Sequence, residues 1–113
     1  MKIFFVLLTL IVTANNCNKN LDDDIPKCIQ NKIAKIKSQP KWNPPARVEE
    51  YIYNGNKVFL FSSNCCDQYS ELYDENCNLL CAPSGGISGG GDGKCNEFFT
   101  SATLVKLVWK DER

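Results

Sequence analysis

RVEEYIYNGNKVFLF, residues 47–61, spells out a β-hairpin. Asn54-Gly55 is the preferred pair for a two-residue type I′ turn, which needs positive φ at both central positions. β-Branched and aromatic residues flank it on each side. A turn of that kind sets the register, because one slipped residue moves every side chain to the other face. Tyr53 then faces Asn56, Tyr51 faces Val58 and Glu49 faces Leu60. On the opposite face Ile52 meets Lys57, Glu50 meets Phe59 and Val48 meets Phe61. Both faces mix apolar and charged residues, so the pattern names no inner face. The aromatic strip has the makings of a ligand platform, but packing within the sheet is the expectation for it.

Downstream, ELYDENCNLL (71–80) reads as a second, tighter hairpin, with residues 74–78 turning between two short strands. The segment FFTSATLVKLVWKDER (98–113) alternates Val105, Leu107 and Trp109 with Lys106, Val108 and Lys110. It reads as a closing strand whose charged end frays. Upstream, IPKCIQNKIAKIKS (25–38) is a helix. Ile25, Ile29, Ile33 and Ile36 form one stripe at 3.6 residues per turn. Pro26 is tolerated in the first turn, and Pro40 stops the helix. Asp22, Asp23 and Asp24 are placed where a helix N-terminus welcomes negative charge. The lysines off the stripe, Lys27, Lys32, Lys35 and Lys37, read as a solvated outer face. Between helix and hairpin, QPKWNPPARVEE (39–50) is a connector. Pro44-Pro45 favours an extended path there, with Trp42 packed over the helix end or the sheet edge.

The class that follows is α+β: one N-terminal helix laid across a small antiparallel sheet of about five strands. The domain runs over residues 25–110 and is rich in cysteine.

The first residues belong to a different kind of segment. After Lys2 the chain is apolar from Ile3 to Val12, broken only by Thr9, and closes on Val12-Thr13-Ala14. A positive start, a greasy core and small residues before a cut are the parts of a secretory signal peptide, here residues 1–14. About ten apolar residues span roughly half a bilayer, too few for a permanent transmembrane helix. Residues 15–24, NNCNKNLDDD, are polar and aperiodic and read as a flexible spacer. Cys17 stands just past the greasy core, where a lipoprotein carries its acylated cysteine, and in that case the leader extends to residue 16. The alternative is cleavage after Ala14 with Cys17 free in a loose tail. Lipidation would tether the chain to a membrane surface without spanning it.

Of the chain's 113 residues, 13 are basic, 13 acidic and none is histidine. Cleavage after Ala14 leaves 99 residues and removes one lysine. A near-neutral chain lacks the basic surface of a sequence-independent nucleic-acid binder. The missing histidine removes the commonest general base and metal ligand.

Besides Cys17 the chain carries Cys28, Cys65, Cys66, Cys77, Cys81 and Cys95. Behind a signal peptide such density reads as disulfides. Each bridge contributes about 2–4 kcal/mol, so three are comparable with the whole net stability of a small domain, roughly 5–15 kcal/mol. The pairing stays open apart from one expected exclusion. The neighbours Cys65 and Cys66 are not expected to bond to each other, since a vicinal bridge is strained.

Cys81 and Cys95 bracket CAPSGGISGGGDGKC (81–95), in which six of fifteen residues are glycine. A P-loop would need Gly where Ser88 stands and Ser or Thr where Cys95 stands. A dinucleotide turn would need Gly at Lys94. Asp67, Asp74, Glu75, Asp92 and Glu97 supply hard oxygens suited to calcium, but without EF-hand spacing. Thiolate zinc fits neither the cysteine spacings nor the compartment. No cofactor is expected. The reading that remains is a floppy loop pinned at its ends, with glycine where φ is positive or backbone passes close to backbone.

CCDQYSELYDENCNLLCAPSGG (65–86) followed by GDGKC (91–95) resembles a family of small exported bacterial proteins, many of them lipoproteins, whose shared domain has no assigned activity. The resemblance covers about residues 25–98, including PKCIQNKI and WNPPA. It implies that Cys28, Cys65, Cys66, Cys77, Cys81 and Cys95 are the family's cysteines. Their companions would be Asp67, Asp74, Pro83, Gly85, Gly86, Gly91, Asp92 and Gly93. The function expected is a non-enzymatic, disulfide-stabilised binding or structural domain at the cell envelope, secreted or anchored as a lipoprotein facing the periplasm. Two alternatives stand beside it. One is a protease inhibitor offering the Cys81–Cys95 loop. The other is a thiol-disulfide exchange enzyme using Cys65-Cys66, though without the usual Cys-x-x-Cys beside a helix start.

Overall fold

In the computed structural model, which describes residues 23–113, Asn54 and Gly55 take φ of 51° and 78° and turn strand β1 (Arg47–Tyr53) into β2 (Asn56–Phe61). All six cross-strand pairs expected from the Asn-Gly turn are present, from Tyr53–Asn56 to Val48–Phe61. The second hairpin joins β3 (Tyr69–Asp74) to β4 (Leu79–Gly85), and β5 (Thr103–Lys110) closes the sheet against β1. The order is β4-β3-β2-β1-β5, every neighbouring pair antiparallel. With helix α1 (Lys27–Lys37) this is a small, disulfide-bonded α+β fold. The proposed signal peptide (1–14), Cys17 and most of the spacer lie outside the described residues.

The ambiguity of the hairpin's faces has a structural answer, since both are covered. Ile25, Ile29, Ile33 and Ile36 share one buried cluster with Ala46, Val48, Phe59 and Phe61. On the other face Val58, Leu60 and Leu72 cluster with Cys81, Cys95 and Phe98. The central strand β2 therefore buries four residues in succession, Val58 to Phe61, with no alternation. Each fully buried Ile or Phe in these clusters contributes roughly 1.5–3 kcal/mol.

Phe98 belongs to a short helix, α2 (Phe98–Ser101), where the sequence reads as a continuous strand. The helix turns the chain so that Phe98, wholly buried, meets the rings of Tyr51 and Tyr53 edge-on at 4.9 and 5.2 Å. The hairpin's tyrosines are thus packed into the sheet. A hydrogen bond from the Tyr53 hydroxyl to Glu97 fastens α2 to the first hairpin. That bond depresses the Glu97 carboxyl and raises the Tyr53 phenol from their ordinary values.

Three local expectations are corrected. First, α1 has Pro26 as its N-cap, with no side-chain cap and no acid in its first turn. Asp23 and Asp24 form a turn ahead of it. Second, the connector bends at Asn43 and Pro44, whose peptide bond is cis, instead of running extended. Third, the charged end does not fray. The Asp111 amide donates to Ala46 O at 2.9 Å, and its buried carboxylate takes a bidentate fork from Arg113, the shortest contact 2.7 Å. That guanidinium also donates to the carbonyls of Lys37 and Gln39, which supplies partners for the open C-terminal end of α1. Arg113 pulls the Asp111 carboxyl down to about 2.

Candidate functional site

The cysteines show which parts of the fold are tied together. Cys28 on α1 is bonded to Cys77 in the β3–β4 turn, and Cys81 on β4 to Cys95, each with Cα atoms 6.1 Å apart. Cys65 and Cys66 are bonded to each other. This overturns the expectation that neighbours would not pair, and topology supplies the reason. The β3–β4 turn reaches the cluster beneath the helix, where Cys28 and Cys77 both pack, and the glycine loop folds back on its own strand, so Cys81 finds Cys95. With those four cysteines paired, the two thiols of the β2–β3 loop are left to each other. Cys65 takes φ of +63° in making that turn.

The glycine-rich loop is ordered by backbone contacts and is not floppy. Gly86 N–H donates to Gln68 O, Gly91 N–H to Gly85 O and Asp92 N–H to Ala82 O. A Cβ on Gly91 would stand 2.1 Å from Ala82 O, and one on Gly85 2.4 Å from Gln68 O. Both glycines have positive φ, so the residue type is required twice over.

Carboxylates read as possible calcium ligands are spread over separate turns. Asp74 accepts the amides of Asn76 and Asn78 and the Asn78 side chain, which hold its carboxyl below its ordinary value. Asp92 accepts the Lys94 amide. Among the described residues no group of three His, Cys, Asp or Glu is placed to share a metal ion.

A cleft of about 210 Å³ lies between α1, the β2–β3 loop and the start of β3. Its floor is aromatic. Phe61 and Tyr73, diagonal neighbours across β2 and β3 (Phe61 faces Glu71 and Tyr73 faces Phe59), meet edge-on at 5.4 Å. Trp42 stands at the helix end, its indole N–H donating to Gln39 at 3.3 Å. Lys32, from a helix face read as merely solvated, places its ammonium 4.0 Å from the Tyr73 ring centroid, within cation–π range. The Tyr73 hydroxyl donates to Glu71 at 2.7 Å. Burial first, then that bond and the neighbouring charge, push the Tyr73 phenol above its ordinary value.

The loop that forms the wall is anchored at both ends. At one end Arg47 and Ser62 exchange hydrogen bonds at 2.8 and 2.9 Å, and at the other Gln68 O accepts the Gly86 amide at 3.0 Å. Tyr69 lines the cleft at 48 % exposure, with its ring against Gly86, where a Cβ would lie 2.5 Å from the ring. The side chains of Ser63, Asn64 and Gln68 line the same wall and make no hydrogen bond to another described residue. None of these cleft residues stood out in the sequence. The available signal was the alternation of Tyr69, Glu71 and Tyr73 on one strand face, which is legible only once β3 is recognised.

A wider hollow of about 480 Å³ lies between the two hairpin turns and Lys94. Its Asp74 oxygens are taken by the turn itself. Glu50, buried on the helix side opposite Lys106 in the β1–β5 register, has one carboxylate oxygen without a hydrogen bond and lines neither cleft. At the sheet margin Leu104, Val105 and Leu107 of β5 are about half exposed.

A family model described as "Domain of unknown function (DUF6970)" matches residues 34–111, well over half of the chain. The chain belongs to that family, and the match takes in the sheet, five of the six bonded cysteines and all of the cleft's lining but Lys32. No curated protein and no solved structure matches it. The multiple disulfides fit an extracellular or exported protein. Among the described residues no helix is long and apolar enough to cross a membrane.

Proposed function

With membership of this domain family as the premise, we propose that the chain is an exported, non-catalytic binding domain. Its disulfides stabilise the scaffold, and its ligand occupies the cleft between α1 and the β2–β3 loop. One observation carries the reading. Aromatic rings and uncommitted polar side chains converge there on a concave surface anchored at both ends of its wall. Export is supported by the leader-like residues 1–14 and by the bridges. Attachment at the cell envelope would follow if Cys17 carries a lipid.

The test has two arms. In the first, the oxidised chain, labelled with ¹⁵N, is screened against soluble sugars, amino acids, short peptides and nucleotides. Perturbations gathered at the Trp42 indole and residues 62–69 are expected. Responses confined to the 480 Å³ hollow, or turnover of any compound, would defeat the reading. In the second, intact mass is measured on protein made with its own leader, reduced and unreduced. Loss of the leader and retention of the three bridges are expected. An uncleaved chain with free thiols would remove export.

A second reading, protease inhibition, has one observation in its favour: Ile87 stands 93 % exposed at the tip of the bridged loop. Slow, tight inhibition of an elastase-like protease, abolished in Ile87→Gly, would establish it. A blank protease panel would remove it.

A further inference from the structure

Resting on that reading of the cleft, we propose that the ligand is a saccharide. One pyranose ring stacks on Tyr69, and its hydroxyls are held by Ser63, Asn64 and Gln68.

A sugar ring offers an apolar C–H face and a belt of hydroxyls that both donate and accept. The cleft supplies both complements. Tyr69 presents a half-exposed ring whose π-face carries the negative potential that suits C–H groups. The ring is held in place before any ligand arrives, because it rests on the bare backbone of Gly86, and the Gly86 amide is bonded to Gln68 O at 3.0 Å. Pre-ordering of this kind lowers the entropy cost of binding. The amide side chains of Asn64 and Gln68 each carry a donor and an acceptor, and the Ser63 hydroxyl is both.

Charge separates this ligand from others. Of the ionic groups lining the cleft, Lys32 stands over Tyr73 and Glu71 accepts the Tyr73 hydroxyl, while the Lys35 ammonium has no such partner among the described residues. An anionic ligand would rest on Lys35 alone unless it drew Lys32 off its ring, and it would share the cleft with the Glu71 carboxylate. A peptide adding itself as a strand needs a free sheet edge, and β2 and β3 each have a neighbour on both sides. Along the wall beside Tyr69, what stays uncommitted is neutral: Ser63, Asn64 and Gln68. At about 210 Å³ the cleft is smaller than the roughly 300 Å³ and upward that drug-sized ligands fill. That sizes it for a single sugar ring.

The full oxidised chain is titrated with cellobiose and with di-N-acetylchitobiose. The indole N–H of Trp42 reports on the cleft and that of Trp109 serves as the remote control. Saturable binding of at least one disaccharide is expected, moving Trp42 and residues 63–69 but not Trp109. Tyr69→Ala and Gln68→Ala should each weaken it about tenfold or more, equivalent to about 1.4 kcal/mol. Tyr69→Phe, which keeps the stacking face, should stay within about threefold. If Tyr69→Ala lowers the melting temperature, Gln68→Ala carries the test. Silence of Trp42 with both sugars, or binding unchanged in Tyr69→Ala and Gln68→Ala, overturns the saccharide. A parallel titration with inorganic phosphate and an uncharged tetrapeptide separates the two claims. If either moves Trp42 while the sugars do not, the saccharide falls and the binding cleft stands. If Trp42 answers nothing while another surface does, both fall.

Discussion

Replacing Cys28 and Cys77 together by alanine tests whether covalent closure is what secures the helix. The bridge spans a sequence separation of 49 and joins α1 to the β3–β4 turn. In the chain-entropy description a closed loop of that length restricts the unfolded ensemble by about 4 kcal/mol, whereas the Cys81–Cys95 loop, with a separation of 14, is worth about 3 kcal/mol. Little else secures the start of α1, which has neither a side-chain cap nor an acid in its first turn. Its remaining hold is the isoleucine stripe and the Arg113 clamp at the other end. The loss is set against a total of roughly 5–15 kcal/mol, so the variant should sit near the edge of folding. At about 4–8 °C per kcal/mol for a domain this size, its melting temperature should drop by on the order of 15–30 °C. Urea unfolding followed by tryptophan fluorescence gives the free energy directly. The slope against urea should rise, because the freed unfolded chain exposes more surface. A loss under about 1 kcal/mol with an unchanged slope would refute the argument. It would mean that the apolar clusters hold the helix without the crosslink.

Other expectations follow from single contacts. Replacing Cys65 and Cys66 together by alanine should change stability by less than about 0.5 kcal/mol in the same urea assay, since a bridge between neighbours closes almost no loop. The Asp111 carboxyl is lowered from 3.8 to about 2 by Arg113, so its stabilising effect is complete above about pH 4 and is lost as pH falls toward 2. The melting-temperature gap between the native chain and Asp111→Asn should therefore close over that window, and a constant gap would contradict the assignment. Gly91→Ala, which meets Ala82 O, should cost more than about 2 kcal/mol, against about 1 kcal/mol for Gly89→Ala, which has a similar φ in open space. Equal costs in chemical denaturation would show that close approach is not what selects Gly91. Phe98→Ala should cost about 3–5 kcal/mol and loosen the rings of Tyr51 and Tyr53, visible as lost near-ultraviolet circular dichroism.

Much of the sheet was legible in the residues themselves. Asn54-Gly55 dictates a register, and Asp74 bonds the amides ahead of it, so both hairpins announce themselves through local chemistry. The helix stripe was legible for the same reason, as its period is written within eleven residues. What was not legible depends on distant partners. Four residues, Phe98 to Ser101, are too few to display a helical period, and only the second apolar cluster gives them a reason to turn. The vicinal pair was excluded on strain, yet the other four cysteines are committed to each other by the fold. The cleft joins a lysine of α1 to a tyrosine of β3 about forty residues later, a meeting no local pattern encodes. Lys32 consequently reads as surface until the sheet is in place beneath it.

The adjacency of Cys65 and Cys66 bears on how the correct crosslinks are reached. Of the six bonded cysteines Cys28 is made first and must wait for Cys77, and the two thiols that appear between them are its natural competitors. Being neighbours, they meet each other faster than either can meet a partner thirty-seven residues back. Once they have closed, the fifteen pairings open to the six fall to the three open to the remaining four. An oxidative search that these six cysteines would otherwise hand to an isomerase is shortened by a single peptide bond.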